Sequence, residues 1–410
     1  MSAVPMPETS PELPLRYPFP PGRMGTPPPL VHWAREHRPV CPVRLPSGAQ
    51  AWMITNKDDI AAVFTDRRFS RNLAFHHAPR IVGDDTTAVQ GSIFNLDPPD
   101  HTRVRRIVAP YYSRAATERH RAEVTRLIDE TLDVLADGPT RTADLVESFA
   151  APLPPAIACA LLKIPPEMVG AFVDSFSVQT AFRNTPAELA TASTSIAEFS
   201  RRIVESRRDD DPAERDDPIG ALLTAHENGT LSEAELHGTA SYLIVVGVGS
   251  LVSPLATGPL TLLLHGDQLR ECRADPDLWP RAAEEVLRYH HNGVLGLPRI
   301  ATEDVDMHGV TIRRGDAVCA TMLGATWDPS HYRDPARFDV HRTENADPTF
   351  GAGPHFCLGV HQARMVVTIA LKTLFVRFTD LELAVPEHEI SFDTDSMFIL
   401  PSALPVSWNA

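Results

Sequence analysis

One cysteine near the end of the chain lies in a loop rich in glycine and proline, Phe350-Gly-Ala-Gly-Pro-His-Phe-Cys357-Leu-Gly359. An apolar run of helical character, residues 358–378, follows this loop directly. A thiolate at Cys357 would face the positive end of a helix dipole and several unpaired backbone N–H groups, and both favour the anion. Because an anionic sulfur also needs a cationic partner, this segment constrains the fold more than any other part of the chain.

The same loop is suited to a flat partner that carries the cation. Gly351, Gly353 and Gly359 let the backbone turn tightly and approach a planar group, and Phe350 can exclude water from one side. Haem iron is the cation whose protein ligand is a single cysteine. The loop matches Phe-x-x-Gly-x-x-x-Cys-x-Gly at every fixed position, and by this motif the chain resembles the cytochrome P-450 family. A buried structural cysteine beside a turn is the alternative for Cys357 taken alone.

Composition excludes several classes of protein. The 410 residues allow one large fold, and 43% hydrophobic residues are ample for its core. A net charge of −15 argues against a nucleic-acid partner. The five cysteines lack the spacing of a metal site or a disulfide framework, so a reducing interior suits them. Residues 1–29 contain neither a signal-peptide pattern nor a membrane anchor, and we therefore expect a soluble, cytoplasmic protein without membrane contact.

The order of elements, mostly helices with short strands between them, predicts a mainly α (α+β) fold. The longest helix is expected from Ser232, which begins a capping box, to about His265. Further helical patterns cover residues 57–64, 100–112, 117–136, 166–177, 187–207 and 280–290. Strands are expected at residues 51–55, 301–307, 310–312 and 317–319.

The resemblance extends this expectation to the whole chain. It implies an irregular N-terminal extension, residues 1–15, followed by a single cytochrome P-450 haem domain over residues 16–410. Haem would lie between the long central helix and the loop with its ligand Cys357, and small β-sheets would lie at one side.

The cofactor that the resemblance implies is heme b (iron protoporphyrin IX), whose two propionates need cations. His101 and Arg105 are four residues apart, on one face of a predicted helix, and family members contact a propionate from these positions. An arginine also pairs with a carboxylate in a bidentate geometry. Taken alone, each of these arginines and histidines could instead be an ordinary surface residue. The implied cofactor-binding residues are His101, Arg105, Arg299, His355, Phe350, Gly351 and Gly359.

A second set of charged residues is expected to have a structural role. Glu285 and Arg288 form the Glu-x-x-Arg pair of the family, on one helical face. Arg342, in Phe338-Asp339-x-x-Arg342, would complete the network as a second arginine opposite Glu285. A buried network of this kind matters for folding, because removing one partner leaves an unpaired charge.

The long helix departs from the family pattern Ala/Gly-Gly-x-Asp/Glu-Thr, in which glycine makes room for dioxygen and the acid–alcohol pair relays protons. This chain reads Val246-Gly247-Val248-Gly249-Ser250. Gly247 fills the glycine position and Ser250 keeps a hydroxyl, but Gly249 replaces the acid. These three positions are the catalytic candidates.

Two prolines should disturb the helix at this point. Pro254 and Pro259 lack an N–H, so the carbonyls of Ser250 and Leu255 lose their usual partners. We expect a kink with a free carbonyl that can hold water. Our hypothesis is that protons arrive through Ser250, ordered water and a polar group of the substrate. The alternative is that Ser250 only satisfies the backbone.

By resemblance, a mostly apolar pocket would bind a lipophilic small molecule. The implied lining residues are Phe75, Phe94, Phe176, Phe182, Val246, Val294, Leu295, Met397 and Phe398. Electrons must come from outside, because the chain has no flavin-type or Rossmann glycine motif. Arg103, Arg106 and Arg364 would form a basic patch for ferredoxin, itself reduced by a ferredoxin reductase.

These residues imply a haem-thiolate monooxygenase that uses dioxygen to hydroxylate or epoxidise a secondary-metabolite intermediate. Without the acid at position 249, the alternative is oxidative ring closure, coupling, desaturation or rearrangement without oxygen insertion. A third alternative, from another class of protein, is a haem-binding carrier or sensor that catalyses no reaction.

Overall fold

The computed structural model of the chain describes residues 11–73, 90–138, 140–344 and 347–409. The helices of this part are α1 Pro29–His37, α2 Lys57–Thr65, α3 Asp100–Val108, α4 Arg114–Arg119, α5 Arg121–Ala136, α6 Leu153–Leu162, α7 Gly170–Thr180, α8 Pro186–Ser206, α9 Pro218–Glu227, α10 Glu233–Gly249, α11 Val252–Leu264, α12 Gly266–Ala274, α13 Trp279–Tyr289, α14 Met322–Thr326 and α15 Val360–Arg377. The strands are β1 Leu15–Arg16, β2 Val40–Arg44, β3 Gln50–Ile54, β4 Phe69–Ser70, β5 Thr142–Asp144, β6 Leu297–Ala301, β7 Val305–Met307, β8 Val310–Ile312, β9 Ala317–Ala320, β10 Glu382–Leu383 and β11 Pro405–Ser407.

The strands form three small sheets. The largest has the order β1-β2-β3-β9-β6-β4, and the others are β10-β11-β5 and the hairpin β7-β8. Strands β6 and β9 are antiparallel, with Arg299 opposite Val318, so the large sheet carries Arg299 into the interior. The mainly helical fold with small sheets that the sequence predicted is confirmed.

The central helix is broken where the prolines predicted a disturbance. Helix α10 ends at Gly249 and α11 begins at Val252. The capping box at Ser232 is present, because the Ser232 Oγ accepts the Glu235 N–H at 3.3 Å and Glu235 accepts the Ser232 N–H at 2.9 Å. The two helices together are apolar and long enough to cross a membrane, but 72% of their most apolar window is buried inside the fold.

Two expected elements end earlier than predicted. Helix α3 stops at Val108, and residues 109–112 form a 3-10 turn, because Pro110 has no N–H to continue an α-helix. The strand expected at 301–307 is two strands, β6 and β7. The Thr302 N–H donates to the carbonyl of Arg68 and extends the pairing of β6 with β4 by one residue, whereas β7 pairs with β8 in a separate sheet.

Candidate active site

The cysteine loop is closed by its own backbone. The Cys357 N–H donates to the Phe350 carbonyl at 2.9 Å. Gly351 and Gly353 have φ values of 82° and 69°, a region that favours glycine, so these two positions need the residue that the sequence has there. A Cβ at Gly353 would lie 2.6 Å from the Phe64 carbonyl, because α2 packs tightly on the loop. At Gly359 a Cβ would meet no described atom within 4 Å, so the backbone there borders open space.

Burial raises the pKa of the Cys357 thiol above its ordinary value. The Gly359 N–H bond to the sulfur and the charges of Arg105 and Arg364 act in the opposite direction, but they do not outweigh burial. The Gly359 N–H therefore favours the anion, in the direction that the sequence analysis expected, but this contribution is smaller than the effect of burial. The anion at this sulfur needs a bound cation, as a metal ligand has.

The four predicted propionate residues converge beside this loop. Arg105 on α3 donates to the carbonyls of Pro354 and Phe356 at 3.1 and 2.7 Å. The rings of His101 and His355 are 4.1 Å apart. Arg299 is fully buried, its guanidinium lies 4.8 Å from the Phe64 ring, and burial lowers its pKa to about 10.

A further cation, Arg71, belongs to the same cluster. It is completely buried after β4, donates to the Pro298 carbonyl at 3.0 Å, and lies 3.7 Å above the ring of Phe94. Its charge acts on His355 together with those of Arg299 and Arg105. Sequence reasoning missed Arg71. Its charge was the one signal in the sequence, and its burial directly after β4 is seen only in the structure.

This cluster fits haem. The His101 Nδ1 and His355 Nε2 are buried and have no hydrogen-bond partner among the described residues. Burial and the neighbouring cations lower the pKa of both imidazoles, to about 4 for His101, so both are neutral at physiological pH. Buried polar nitrogens beside three guanidinium groups call for anionic oxygens, which the two propionates carry. Cys357 lies beside this cluster, where its sulfur could bind the iron.

The Glu285 network forms as the sequence predicted. Arg288 contacts both Glu285 carboxylate oxygens, at 2.7 and 2.8 Å, and Arg342 reaches Glu285 at 3.0 Å. The Asp339 N–H donates to the same carboxylate at 2.9 Å. All three charged side chains are buried. The network also joins α13 to the segment before the cysteine loop through the bond from Arg288 to the Pro335 carbonyl.

The segment around Ser250 has one contact that the sequence did not indicate. The Asn292 Nδ2 lies 3.4 Å from the Ser250 carbonyl, which has a second lone pair, so binding of water there stays a prediction. The Ser250 hydroxyl donates to the Val246 carbonyl at 2.7 Å, a contact that the structural alternative for Ser250 predicts. A Cβ at Gly247 would lie 3.3 Å from the Ala158 Cβ, so Gly247 permits close packing of α6 on α10, and its role toward dioxygen stays a prediction.

The predicted pocket residues fall into three groups. Phe176 and Phe398 meet at the end of α10, where their rings are 6.0 Å apart and both approach Gly249. Phe94 stacks on Tyr242 at 4.7 Å. Three further predicted residues lie near the C-terminal segment: the Val294 N–H donates to the Met397 carbonyl, and Leu295 and Phe182 pack on the cluster that contains Ile399. Val246, on α10, is half-buried. Phe75 lies outside the described residues.

Two of the three arginines predicted to contact an electron carrier are engaged in ion pairs. Arg103 pairs with Asp100 and Glu235 at 3.1 and 2.5 Å. Arg364 pairs with Glu284 and with Asp347 at 2.7 Å. Arg106 is exposed. Arg114 and Arg119, on the α4 helix that packs against α15, are also exposed, and the sequence analysis did not select them.

A loop with one cysteine, a cationic cradle and a helical fold with small sheets together define a haem-thiolate protein. Residues 277–405 match the family model "Cytochrome P450". Nocardicin C N-oxygenase of Nocardia uniformis subsp. tsuyamanensis is 35% identical over 378 residues, which are 91% of this chain and 94% of that protein.

Two solved structures are similar over nearly the entire chain. HinD, solved with NMFT and NO, has a TM-score of 0.88 and 34% identity and covers 97% of this chain and 100% of its own. CxnD, an enzyme for C–S bond formation in chuangxinmycin biosynthesis, has a TM-score of 0.84 and 31% identity over 92% of this chain and 94% of its own. The chain belongs to the cytochrome P-450 family. It is a haem-containing monooxygenase of this family.

Proposed function

We propose that this monooxygenase inserts one oxygen atom of dioxygen into a lipophilic secondary-metabolite intermediate, by hydroxylation or epoxidation. The observation that carries the proposal is the cluster of His101, Arg105, Arg299 and His355 beside Cys357. This cluster supplies a buried, cationic cradle with a sulfur ligand, and apolar side chains line the opposite side. Residues 16–410 would form the one catalytic domain. We place the protein in the cytoplasm, where its five free cysteines suit a reducing compartment.

Haem, when bound, supplies the activation of dioxygen, and the chain controls what surrounds it. Arg299, Arg105 and Arg71 would hold the two propionates, with His101 and His355 as neutral donors. Cys357 would donate its thiolate charge to the metal from within the closed loop. Phe350, buried between Arg364 and Phe356, keeps water from the sulfur.

Substrate binding is the first test of this proposal. We expect lipophilic natural-product intermediates, free or tethered to a carrier, to shift the Soret band of the ferric haem protein when they bind. Turnover of each binder under labelled dioxygen then reports the reaction. One labelled oxygen atom in the product supports insertion, and an unlabelled oxidised product contradicts it.

We propose that Ser250 takes part in proton delivery. Its hydroxyl hydrogen points to the Val246 carbonyl, so its oxygen can accept a hydrogen bond from water or from the substrate. Replacing Ser250 by Ala should lower the product formed per NAD(P)H consumed. Ser253→Ala is the matched control, because the Ser253 hydroxyl, one turn later, donates to the Ile399 carbonyl at 2.5 Å. If both variants form the same amount of product per NAD(P)H consumed, Ser250 has only a structural role.

We also propose a ferredoxin as the electron donor, with its reductase. The support is local positive charge, from Arg106, Arg114 and Arg119, on a protein whose net charge is −15. Arg106→Glu should slow reduction at low ionic strength and weaken its salt dependence. The control is Arg44→Glu, on the exposed side of β2. If both variants are reduced equally fast, this face is not the docking site.

A second candidate is oxidation without oxygen insertion. It is favoured by the absence of an acid at Gly249 and by the similarity to CxnD, whose reaction is C–S bond formation. The labelled-dioxygen experiment separates this candidate from the first.

A further inference from the structure

Gly249, which replaces the acid of the family pattern, is in close contact with a side chain from another helix. A Cβ at Gly249 would lie 2.6 Å from the Phe176 Cε1, in still closer contact with the Phe176 Cζ, and 3.2 Å from the Phe398 Cζ. Cβ atoms do not tolerate the first two contacts, so no side chain fits at Gly249 while the Phe176 ring stays in place. The glycine and the phenylalanine, on α10 and α7, are therefore sterically complementary.

The ring of Phe176 is held in this place from both sides. It stacks on Phe172 of its own helix, with centroids 6.2 Å apart and planes at 9°. Phe172 in turn packs against Phe199 of α8 at 4.9 Å. On the other side Phe398 lies 6.0 Å away. A row of four rings thus runs from α8 to the C-terminal segment, and stacked aromatic pairs of this kind resist reorientation.

We propose that Phe176 is a positioning residue that excludes every side chain from position 249 and seals the α7 side of the break in the central helix. The wall formed by Phe176 and Phe398 is apolar, so it offers no hydrogen bond to a water molecule. Protons then reach the reaction past Ser250 or from the substrate, and not from solvent along α7. The statement about the route of protons rests on the proposed oxygenase function. The packing of Phe176 against Gly249 does not depend on that function.

A double-mutant cycle on the holoprotein tests the packing. Gly249→Ala alone should lower the thermal midpoint by about 2 °C or more, because the added methyl group overpacks the contact. In a Phe176→Ala background the same change should raise the midpoint by about 1 °C, since alanine is the better helix former and the space is free. Gly266→Ala, where a Cβ would meet its closest described atom at 3.8 Å, controls for the helix effect.

The steric part of the inference predicts that Gly249→Ala changes the thermal midpoint in opposite directions in the parent protein and in the Phe176→Ala variant. A change of the same sign and size in both proteins contradicts it. Gly249→Asp, which restores an acid, should likewise be tolerated only beside Phe176→Ala. This result is independent of the reaction, so a failed oxygenase proposal leaves it standing.

Water access tests the seal. The relaxation rate of bulk water protons in solutions of the ferric holoprotein rises when water reaches the paramagnetic iron. We expect Phe176→Ala to raise this rate about twofold or more. Phe392→Ala is the matched control, because Phe392 is a half-buried phenylalanine that packs against Gly25 and was not assigned to the pocket. Equal rates in the two variants would show that Phe176 does not keep water from the site.

Discussion

At the scale of single residues, the site is governed by buried positive charge. Arg105 and Arg299 converge with the neutral His101 and His355, and among described residues Asp97 is the acid that acts on Arg299 and His101. A buried guanidinium is stabilised by a neighbouring anion. Two propionates and an iron that binds Cys357 would balance the cluster, so cofactor and cradle are expected to stabilise each other.

Arg299 should therefore control retention of the cofactor. Replacing it by Gln removes a charge-assisted contact and should speed haem loss about 10- to 100-fold. Transfer of haem to apomyoglobin measures the rate. Arg313→Gln, an exposed arginine of the β7-β8 region, is the control. Equal rates of transfer from the two variants would remove Arg299 from the cradle.

His290 should make the fold sensitive to acid. It is buried between the Gly25 carbonyl and the Thr261 hydroxyl, and burial lowers its pKa to about 4. Between pH 6.5 and about pH 4, His290 is protonated in the unfolded chain but stays neutral in the folded protein. The free energy of unfolding therefore falls as the pH drops through this range. The loss is about 1.4 kcal/mol per pH unit for one histidine.

The variant His290→Gln keeps polar atoms at this position and removes the titration. Its free energy of unfolding, measured by urea titration across this window, should fall less steeply than that of the parent protein. His388→Gln, at an exposed position, should leave the slope unchanged. A slope that is the same in all three proteins would contradict the assignment to His290.

At the scale of elements, sequence reasoning succeeded where a cause is local and failed where it is distant. The break in the central helix follows from Pro254, and the start of α10 follows from its capping box. That Asn292 would cap the freed Ser250 carbonyl, and that Phe176 would fill the space at Gly249, depended on residues far along the chain. The spacing of residues in a single sequence does not predict contacts between segments that are far apart along the chain.

The connection between α7 and α8 is fastened to the C-terminal segment. The Phe182 N–H donates to the Asp395 carbonyl at 2.7 Å, and the Met397 N–H donates to the Thr180 carbonyl at 2.8 Å. Arg183 adds an ion pair to the Asp395 carboxylate at 2.5 Å. Two backbone bonds and one ion pair therefore hold this connection against the C-terminal segment.

Arg183→Gln should loosen this connection without unfolding the protein. Because the Arg183 side chain is 73% exposed, the ion pair contributes at most about 1 kcal/mol to stability. Hydrogen–deuterium exchange should become a few-fold faster at residues 180–183 and stay unchanged in the core helices. The control is Arg126→Gln, which removes two exposed ion pairs on α5, to Glu123 and Glu130. Unchanged exchange at 180–183 would contradict the role of Arg183.

At the scale of the whole molecule, the fold class and the helix order were predictable because each long helix has its own apolar pattern and end signals. The sheet order was not, since strands of two to five residues carry too little pattern to specify their partners. The pairing of β3 with β9 brings together residues more than half the chain apart. The family motif supplied the cofactor, but Arg71 in the cradle could only be found from the structure.

The Glu285 network should hold this architecture together. Arg288→Ala leaves the buried Glu285 carboxylate poorly paired and should cost about 3–5 kcal/mol of unfolding free energy. Denaturant unfolding of the holoprotein measures the loss, and Arg337→Ala, an exposed arginine of the same loop region, is the control. A loss below about 1 kcal/mol would show that the network is dispensable.

The spectrum of the ferrous protein with carbon monoxide tests the central claim, that Cys357 binds haem iron as a thiolate. We predict the red-shifted Soret band that gives the family its name, and its loss in Cys357→His with the fold retained. A natively folded protein whose carbon monoxide complex absorbs at the shorter wavelength of a neutral axial ligand, or that takes up no haem, would contradict it.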